Sequence, residues 1–498
     1  MTTLSQITRS PALIKQEVMS VVADALDSLL SQGPVSGRTA ETAVWDLLLD
    51  VGRVTLAAVL GWACWSSTSR ESASSPTARL RLDRDYWLTQ TTTLGKICVP
   101  LFAYRDESGR TQVPARAEVF PLHPHCRSSE LCLEWEARLG SQLPFRQAEE
   151  ALRDFTHGAC VVEDTTISRH LSAVGSLLGS EWTYRSPEQV AKTLRERATR
   201  DSETGRPLLY LSTDAHALRR YVDETWTSKW KMINGIRLWC IDGRTGEVVH
   251  LGGEYTWGDC QEVATRVRRM VKRLIPTGDD APQVVLLADG MPWIWERVLS
   301  ELPADTIGIL DFYHATEHLA DYAKVRFGAG TKAAKAWYNK TRAALLGKRQ
   351  YTKKPSTTRK GHKKRRRTGP KAKRTIHLSD NPHGAGEALV NELLADDTPV
   401  EAQDSVLALL HYISGHADRM DYPAFRARGI QIGSGAMESL HRTASQARLK
   451  LAGTRWLAEN ALAVLNARMV QLAQRWHHFW AQPQLTDQLK TVFAGSAS

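Results

Sequence analysis

At 498 residues the chain is too long for one ordinary hydrophobic core, and about three domains are expected. Hydrophobic residues at 42% and charged residues at 24% are ordinary for a soluble globular protein. The net charge of +11 is a local feature: residues 348–374 hold fourteen Lys or Arg and no acid, leaving −3 for the remainder, so a phosphate-rich partner is expected there. The seven cysteines (64, 98, 126, 132, 160, 240 and 260) form no CxxC pair, so neither a disulfide framework nor a standard zinc site is announced, and a reducing cytosol fits best. No basic segment leads into an apolar one at the start, so no signal peptide is expected. The longest apolar run, Val54 to Trp65, suits a packed helix and is too short to span a bilayer.

Residues 1–75 read as a helical region. Apolar positions recur at helical spacing over 11–32 (Val18, Val21, Val22, Leu26, Leu29, Leu30) and over 39–65 (Trp45, Leu48, Leu49, Val51, Val54), and Thr39 can cap the second helix. A helical hairpin packed on the body or on another protomer is the expectation. Ser66 to Thr77 has the composition of a linker. Residues 76–140 read as a small β-module, degenerate zinc-ribbon-like, with strands at Thr91 to Val99, Leu101 to Tyr104 and Gln112 to Phe120. His123, His125, Cys126 and Cys132 follow, but a second ligand pair is missing, so a loop with incidental His and Cys is expected over zinc.

Residues 141–200 carry a helix-turn-helix pattern. Arg146 to Phe155 turn Ala148, Ala151, Leu152 and Phe155 inward, His157-Gly158 breaks the helix, and Asp164 or Thr165 caps a second one with Ile167, Leu171 and Val174 inward. That second helix is expected to expose Ser168, Arg169 and His170, and DNA binding is placed ahead of structural packing.

From residue 201 to 325 the pattern becomes long strands. Leu208 to Thr213, Val284 to Ala288 and Thr306 to Leu310 are buried-strand runs, each followed by an aspartate (Asp214, Asp289, Asp311), with His314 three residues after the last. Between the first two lie strands Lys231 to Ile241 and Val248 to Thr256 and a helix capped by Asp259; Pro292 opens a helix before the third. Three strands, a helix, then alternating strand and helix is the order of an RNase-H-like sheet, a mixed α/β core that gathers acids at adjacent strand ends. Beyond His314 the chain turns helical, passes through the basic segment, and is helical again over 386–420. Gly433-Ser434-Gly435 then opens a helix carrying Glu438, His441, Arg442, Arg448 and Lys450; Gly453 interrupts it before Trp456, and a last helix runs from Ala458 to Trp480.

Crowded carboxylates repel one another unless a divalent cation sits among them. Phosphodiester cleavage needs an activated oxygen and a neutralised leaving oxygen, which two Mg2+ (or Mn2+) ions about 3.5–4 Å apart supply with carboxylates as ligands. Asp214, Asp289 and Glu438 are the expected metal set. Glu301, Glu317 and Glu392 lie in the intervening chain; Glu438 is preferred because the glycines let its helix start approach a partner closely. For His314 a satisfied, half-buried histidine is an equal alternative, and the His314/His318 pair lacks a third zinc ligand. Lys363, Lys364, Arg365, Arg366 and Arg367 suit a DNA backbone, and Arg455 beside Trp456 suits stacking on an unpaired base.

Taken together, Thr213-Asp-Ala, Leu287-Ala-Asp-Gly-Met-Pro-Trp, Leu310-Asp-Phe-Tyr-His-Ala-Thr-Glu-His-Leu, Ile432-Gly-Ser-Gly-Ala-Met-Glu-Ser and Arg448-Leu-Lys-Leu-Ala-Gly-Thr-Arg-Trp resemble the bacterial insertion-sequence DDE transposases of the Kra type, related to the Mutator-like transposases. The resemblance covers about residues 140–480. It implies that Asp214, Asp289 and Glu438 are the DDE triad, that Asp311 and His314 match a DxxH signature, and that 319–435 is an all-α insertion before the final acid. The implied fold is α/β: an RNase-H-like mixed-sheet core (201–325 and 431–498) interrupted by a helical insertion with the basic segment (326–430), behind helical, small β and helix-turn-helix modules. The cysteine-bearing β-module common in the family keeps its strands here but lacks an intact ligand set.

The implied function is metal-dependent cleavage at the ends of an insertion sequence, followed by attack of the freed 3′-hydroxyl on target DNA. Arg169 on the helix-turn-helix would help read terminal inverted repeats, and Arg448, Lys450, Arg455 and Trp456 would join the basic segment in holding DNA. Pairing two ends implies a homodimer or larger assembly, in a bacterial cytoplasm on the nucleoid and without a membrane. The alternatives are a catalytically silent, domesticated DNA-binding protein, which has no need of repelling carboxylates, and an RNase-H-like nuclease that never joins a 3′ end to target.

Overall fold

The computed structural model describes residues 11–31, 36–74, 81–105, 107–113, 116–222, 227–347, 384–394 and 403–495. The basic segment, with Lys363, Lys364, Arg365, Arg366 and Arg367, lies outside these residues. The chain divides into two compact units, each discontinuous in sequence: the first is Met1–Thr183, Arg219–Lys229 and Gln446–Ser498; the second is Tyr184–Leu218 and Trp230–Ser445.

In the first unit the expected helical hairpin is present as Pro11–Ser31 and Gly37–Ser74. The second helix runs through most of the stretch expected to be a linker, because no glycine or proline interrupts it between Ser66 and Ser74. By length and composition Gly37–Ser66 is apolar enough to cross a membrane, which the twelve-residue run alone did not suggest; a third of its most apolar window is buried. Val54, Ala57 and Ala58 pack on Leu88, Ile97, Val99 and Leu101 of an antiparallel pair, β1 (Arg81–Thr92) and β2 (Gly95–Arg105). The turn falls at Thr93-Leu94, inside the strand expected from Thr91 to Val99. A third strand, β3 (Thr111–Gln112), is only two residues long, and Arg116–Val119 is a helical turn where strand was expected.

The helix-turn-helix elements are Phe145–Phe155 and Asp164–Ser176, behind a preceding helix, Glu130–Gln142. His157 and Gly158 both take positive φ at the break, as their sequence signalled. Ala148, Leu152 and Ile167 bury a small core with Cys132, Cys160 and Val162. His170 departs from expectation: it is buried, with its Nδ1 2.5 Å from Glu136 Oε2, while Arg169 is exposed. The helix Ala458–Leu472 packs on both Glu130–Gln142 and Asp164–Ser176. The chain from Gln446 onward therefore belongs to this unit and does not complete the sheet.

The second unit is built on a mixed five-stranded sheet: β4 (Leu208–Tyr221, which passes into the first unit at Arg219), β5 (Ser228–Ile241), β6 (Val248–Thr256), β7 (Gln283–Ala288) and β8 (Ile307–Leu310), in the order β6-β5-β4-β7-β8. β5 and β6 are antiparallel, whereas β4–β7 and β7–β8 are parallel. This topology is compatible with an RNase-H-like core. β7 is buried throughout, as a parallel strand covered on both faces must be, which is why it reads as unbroken apolar sequence. Each such fully buried side chain contributes roughly 1.5–3 kcal/mol. All described elements between β8 and Gly435 are helical.

A bidentate ion pair ties this unit's early and late segments. Arg428 donates from Nη2 and Nε to the two carboxylate oxygens of interior Asp201, at 2.7 and 3.1 Å. That guanidinium, with Glu203 N–H and the Thr204 hydroxyl, holds the carboxyl at about 2, against an ordinary 3.8. A depressed carboxyl stabilises the fold above its unfolded pKa, and the contribution is lost as pH falls toward 2. Arg428→Ala is expected to cost about 2 kcal/mol at neutral pH, and much less at pH values near 2, measured by urea unfolding.

Candidate active site

The three aspartates converge through strand register. Leu211 of β4 pairs with Leu286 of β7, so Asp214 and Asp289, each three residues further on, fall level. Ala288 pairs with Leu310 of β8, so Asp289 and Asp311 are level as well. Neighbouring strands lie about 4.8 Å apart, so adjacency in the sheet becomes adjacency of carboxylates. β4 does not stop at Asp214, as expected; it continues to Tyr221 because His216 and Leu218 alternate inward.

The three carboxylates have different environments. Asp311 is fully buried and caps the helix Phe312–Phe327, its Oδ1 accepting from Tyr313 N at 2.7 Å and His314 N at 2.8 Å. Its Oδ2 accepts from Ser434 N, pinning the Gly-Ser-Gly turn to the end of β8. With both oxygens engaged, Asp311 positions other groups, which corrects its place among reacting residues. Gly433 serves the same junction: a Cβ there would stand 2.5 Å from the Tyr313 ring.

Asp289 is half-buried and accepts from Met291 N at 3.0 Å. Burial raises its carboxyl pKa; neighbouring Asp214 and Asp311 raise it further, while His314 and the Met291 N–H oppose them. At Asp214 burial also pushes upward, but His441, the Ala215 N–H and His314 outweigh it, and the carboxyl lies below its ordinary value. Two acids whose charges act on each other, both felt by one histidine, share one electrostatic site.

His441 was not singled out from sequence, although it stands one helical turn beyond Glu438. Its Nε2 is 3.4 Å from Asp214 Oδ2, and its Nδ1 is 3.2 Å from the Tyr255 hydroxyl. The His216 ring lies 4.4 Å from the His441 ring, and its Nε2 meets Ser445 Oγ at 2.9 Å. The approach requires Gly235 on β5, where a Cβ would stand 2.5 Å from Met437 Cε and 2.8 Å from His441 Cε1. Glu438 is exposed in the helix Gly435–Leu440. His441 stands three residues further on and reaches Asp214, whereas the groups that act most strongly on Asp214 and Asp289 do not include Glu438. Among the described residues, no three His, Cys, Asp or Glu side chains already close as a metal-binding group.

The remaining expected DNA contacts divide by exposure. Lys450 and Arg455 are exposed, while Arg448 and Trp456 are interior. The Arg448 guanidinium lies against the rings of Phe145 and Trp456, 4.7 and 5.0 Å from their centres, while the two rings meet edge-to-face at 6.1 Å, and Trp456 Nε1 donates to Leu449 O. In this conformation neither is available to DNA, and the expected base-stacking role of Trp456 is replaced by packing.

No protein-family model matches this chain, and no curated protein does. Among solved structures it is similar to a Drosophila P element transposase strand transfer complex, at 9% identity and a TM-score of 0.31, over 69% of this chain and 92% of that one. A likeness this distant carries no functional argument.

Proposed function

We propose that the chain is a metal-dependent DNA transposase of a bacterial insertion sequence, cutting phosphodiesters at element ends and joining the 3′ ends to target DNA. The observation that supports this reading is the level placement of Asp214, Asp289 and Asp311 on three adjacent strands, with Asp311 occupied by backbone N–H groups and Asp214 and Asp289 half-buried beside it. Asp214 and Asp289 fit Mg2+ or Mn2+ by chemistry, being hard oxygen donors whose mutual repulsion a cation relieves, and Glu438 would complete their set. Two such ions, when bound, supply activation of the attacking oxygen and neutralisation of the leaving one.

The protein's own residues prepare that site. His441 steadies Asp214, Tyr255 orients His441, and Asp311 fixes the turn that launches the Glu438 helix. His314, close enough to influence both Asp214 and Asp289, tempers their charge. Arg169, Lys450 and Arg455, with the basic segment 348–374, would hold DNA backbone, and the helix-turn-helix would read the terminal inverted repeats. Two ends brought together call for a homodimer or larger, working on the nucleoid in the cytoplasm. The test supplies the purified full chain with labelled DNA bearing the inverted repeats that flank its coding region, plus target plasmid. Mg2+-dependent nicking with 3′-end joining is expected; nicking without joining would leave a nuclease, and neither would leave a DNA-binding protein.

A further inference from the structure

Behind the helix-turn-helix lies a line of buried groups that the proposed reaction does not use. Cys132 Sγ and Cys160 Sγ are 3.8 Å apart, and both residues are fully buried. Cys132 Sγ is also 3.3 Å from Glu136 Oε1, which accepts from Ser128 Oγ at 2.6 Å. The other Glu136 oxygen meets His170 Nδ1 at 2.5 Å, and His170 Nε2 lies 3.7 Å from Cys126 Sγ. A carboxylate with no exposure is costly in an apolar core unless its neighbours donate to it, and here a hydroxyl, a thiol and an imidazole do so. The groups form a chain rather than a closed shell, which does not suit a shared ion.

We propose that Cys132 and Cys160 are a disulfide-forming pair that responds to peroxide. A disulfide has sulfurs about 2.05 Å apart, so the pair must close by about 1.8 Å. Cys160 can supply this movement because it lies in the irregular stretch between the helices ending at Phe155 and starting at Asp164. The thiols are also unequal. The contact with Cys132 holds the Cys160 thiol below its ordinary value against the upward push of burial and Glu136, whereas that contact, burial and Glu136 all raise Cys132. Both thiols are sealed from solvent, so the same opening of the stretch around Cys160 must admit the peroxide, and Cys160, carried on that stretch, is the thiol that ionises and attacks.

It attacks one peroxide oxygen, breaking the O–O bond, and becomes a sulfenic acid as one water leaves. Cys132 then attacks that sulfur, its proton passing by way of Glu136 to the departing oxygen, and the S–O bond breaks to release a second water. Two thiols lose two electrons and one hydrogen peroxide gains them, so the step balances. The product would join the first turn of Glu130–Gln142 to the entry of Asp164–Ser176 across 28 residues, stiffening the module that carries Arg169.

The test treats the native full chain with hydrogen peroxide, blocks remaining thiols, and maps peptides without reduction. A Cys132–Cys160 peptide, a mass loss of two hydrogens, and a higher unfolding midpoint that thiol reductant reverses are expected. Cys160→Ser should abolish the cross-link and the midpoint rise. Its circular dichroism, matched to wild type, separates loss of chemistry from loss of fold; should it misfold, Cys132→Ser serves the same comparison. Oxidation confined to half-exposed Cys98 and Cys260 would overturn the proposal, as would stoichiometric zinc in the purified chain protecting both thiols.

Discussion

Asp289→Asn is expected to abolish Mg2+-dependent nicking and strand joining, by about a thousandfold or more, while leaving DNA affinity and folding intact. A loss of that size corresponds to roughly 4 kcal/mol of transition-state stabilisation. Asparagine keeps the size of the side chain and its acceptor for the Met291 N–H at 3.0 Å, but removes the charge. Burial and the nearby Asp214 and Asp311 already disfavour that charge in the folded protein. Removing it should therefore leave the unfolding midpoint unchanged or slightly raised, the opposite of what a structural carboxylate would show. Asp311→Asn makes the contrast: its oxygens serve three backbone N–H groups, so it should lose stability along with activity. Rates on a labelled element end, beside thermal melts of the same preparations, check both; wild-type rates in Asp289→Asn would end the active-site assignment.

Arg448→Ala is expected to destabilise the first unit by about 3–4 kcal/mol, among the largest single-residue costs in the chain. The side chain is 2% exposed, donates from Nε and Nη2 to Gly140 O at 3.1 and 3.0 Å, and packs against both Phe145 and Trp456. Gly140 belongs to the last turn of Glu130–Gln142, where carbonyls lack helical partners and the helix dipole is negative. Arg468 adds a bond to the next carbonyl, Ser141 O, at 2.8 Å. Burial, with the nearby charge of Arg468, lowers the Arg448 pKa to about 10, yet the guanidinium remains charged at neutral pH. Lysine cannot match the planar two-donor geometry or the ring contacts, so Arg448→Lys should recover only a small part of the loss. Denaturant unfolding measures the cost. The salt dependence of DNA binding by whatever folded protein remains should keep its slope, because no phosphate contact has been removed.

The sheet was legible because each strand is apolar through its buried length and then meets an acid. Leu208–Leu211 and Val284–Ala288 read as buried strands from their unbroken apolar character and short length, and the structure makes them parallel neighbours. Register between strands is a property of pairing, so the level placement of Asp214, Asp289 and Asp311 needed coordinates. The run past Asp214 was obscured because Ala215, His216, Ala217 and Leu218 replace continuous hydrophobicity with alternation. The partnership of His441 with Asp214 spans more than two hundred residues, although its spacing from Glu438 was visible on one helix. Arg448 and Trp456 look like surface chemistry as residue types, and only the fold shows a buried cation held against two rings over a helix end. His170 misled in the same way: its position on the helix said outward, but Glu136, thirty-four residues earlier, draws it into the core.

The backbone passes from one compact unit to the other four times, after Thr183, Leu218, Lys229 and Ser445. Neither unit is thus a cassette that recombination could lift out or graft onto another protein in one piece. A proteolytic nick after Leu218 or Lys229 would yield fragments that each retain parts of both halves, and one after Thr183 or Ser445 would divide the first unit between its fragments; in every case the pieces should co-elute under native conditions until denaturant is added. Loss of the last fifty residues would strip the helix-turn-helix of Ala458–Leu472, the helix it packs against, while sparing every aspartate of the sheet. A frameshift late in the gene should accordingly destabilise that helical module while leaving the set of strand-end carboxylates complete.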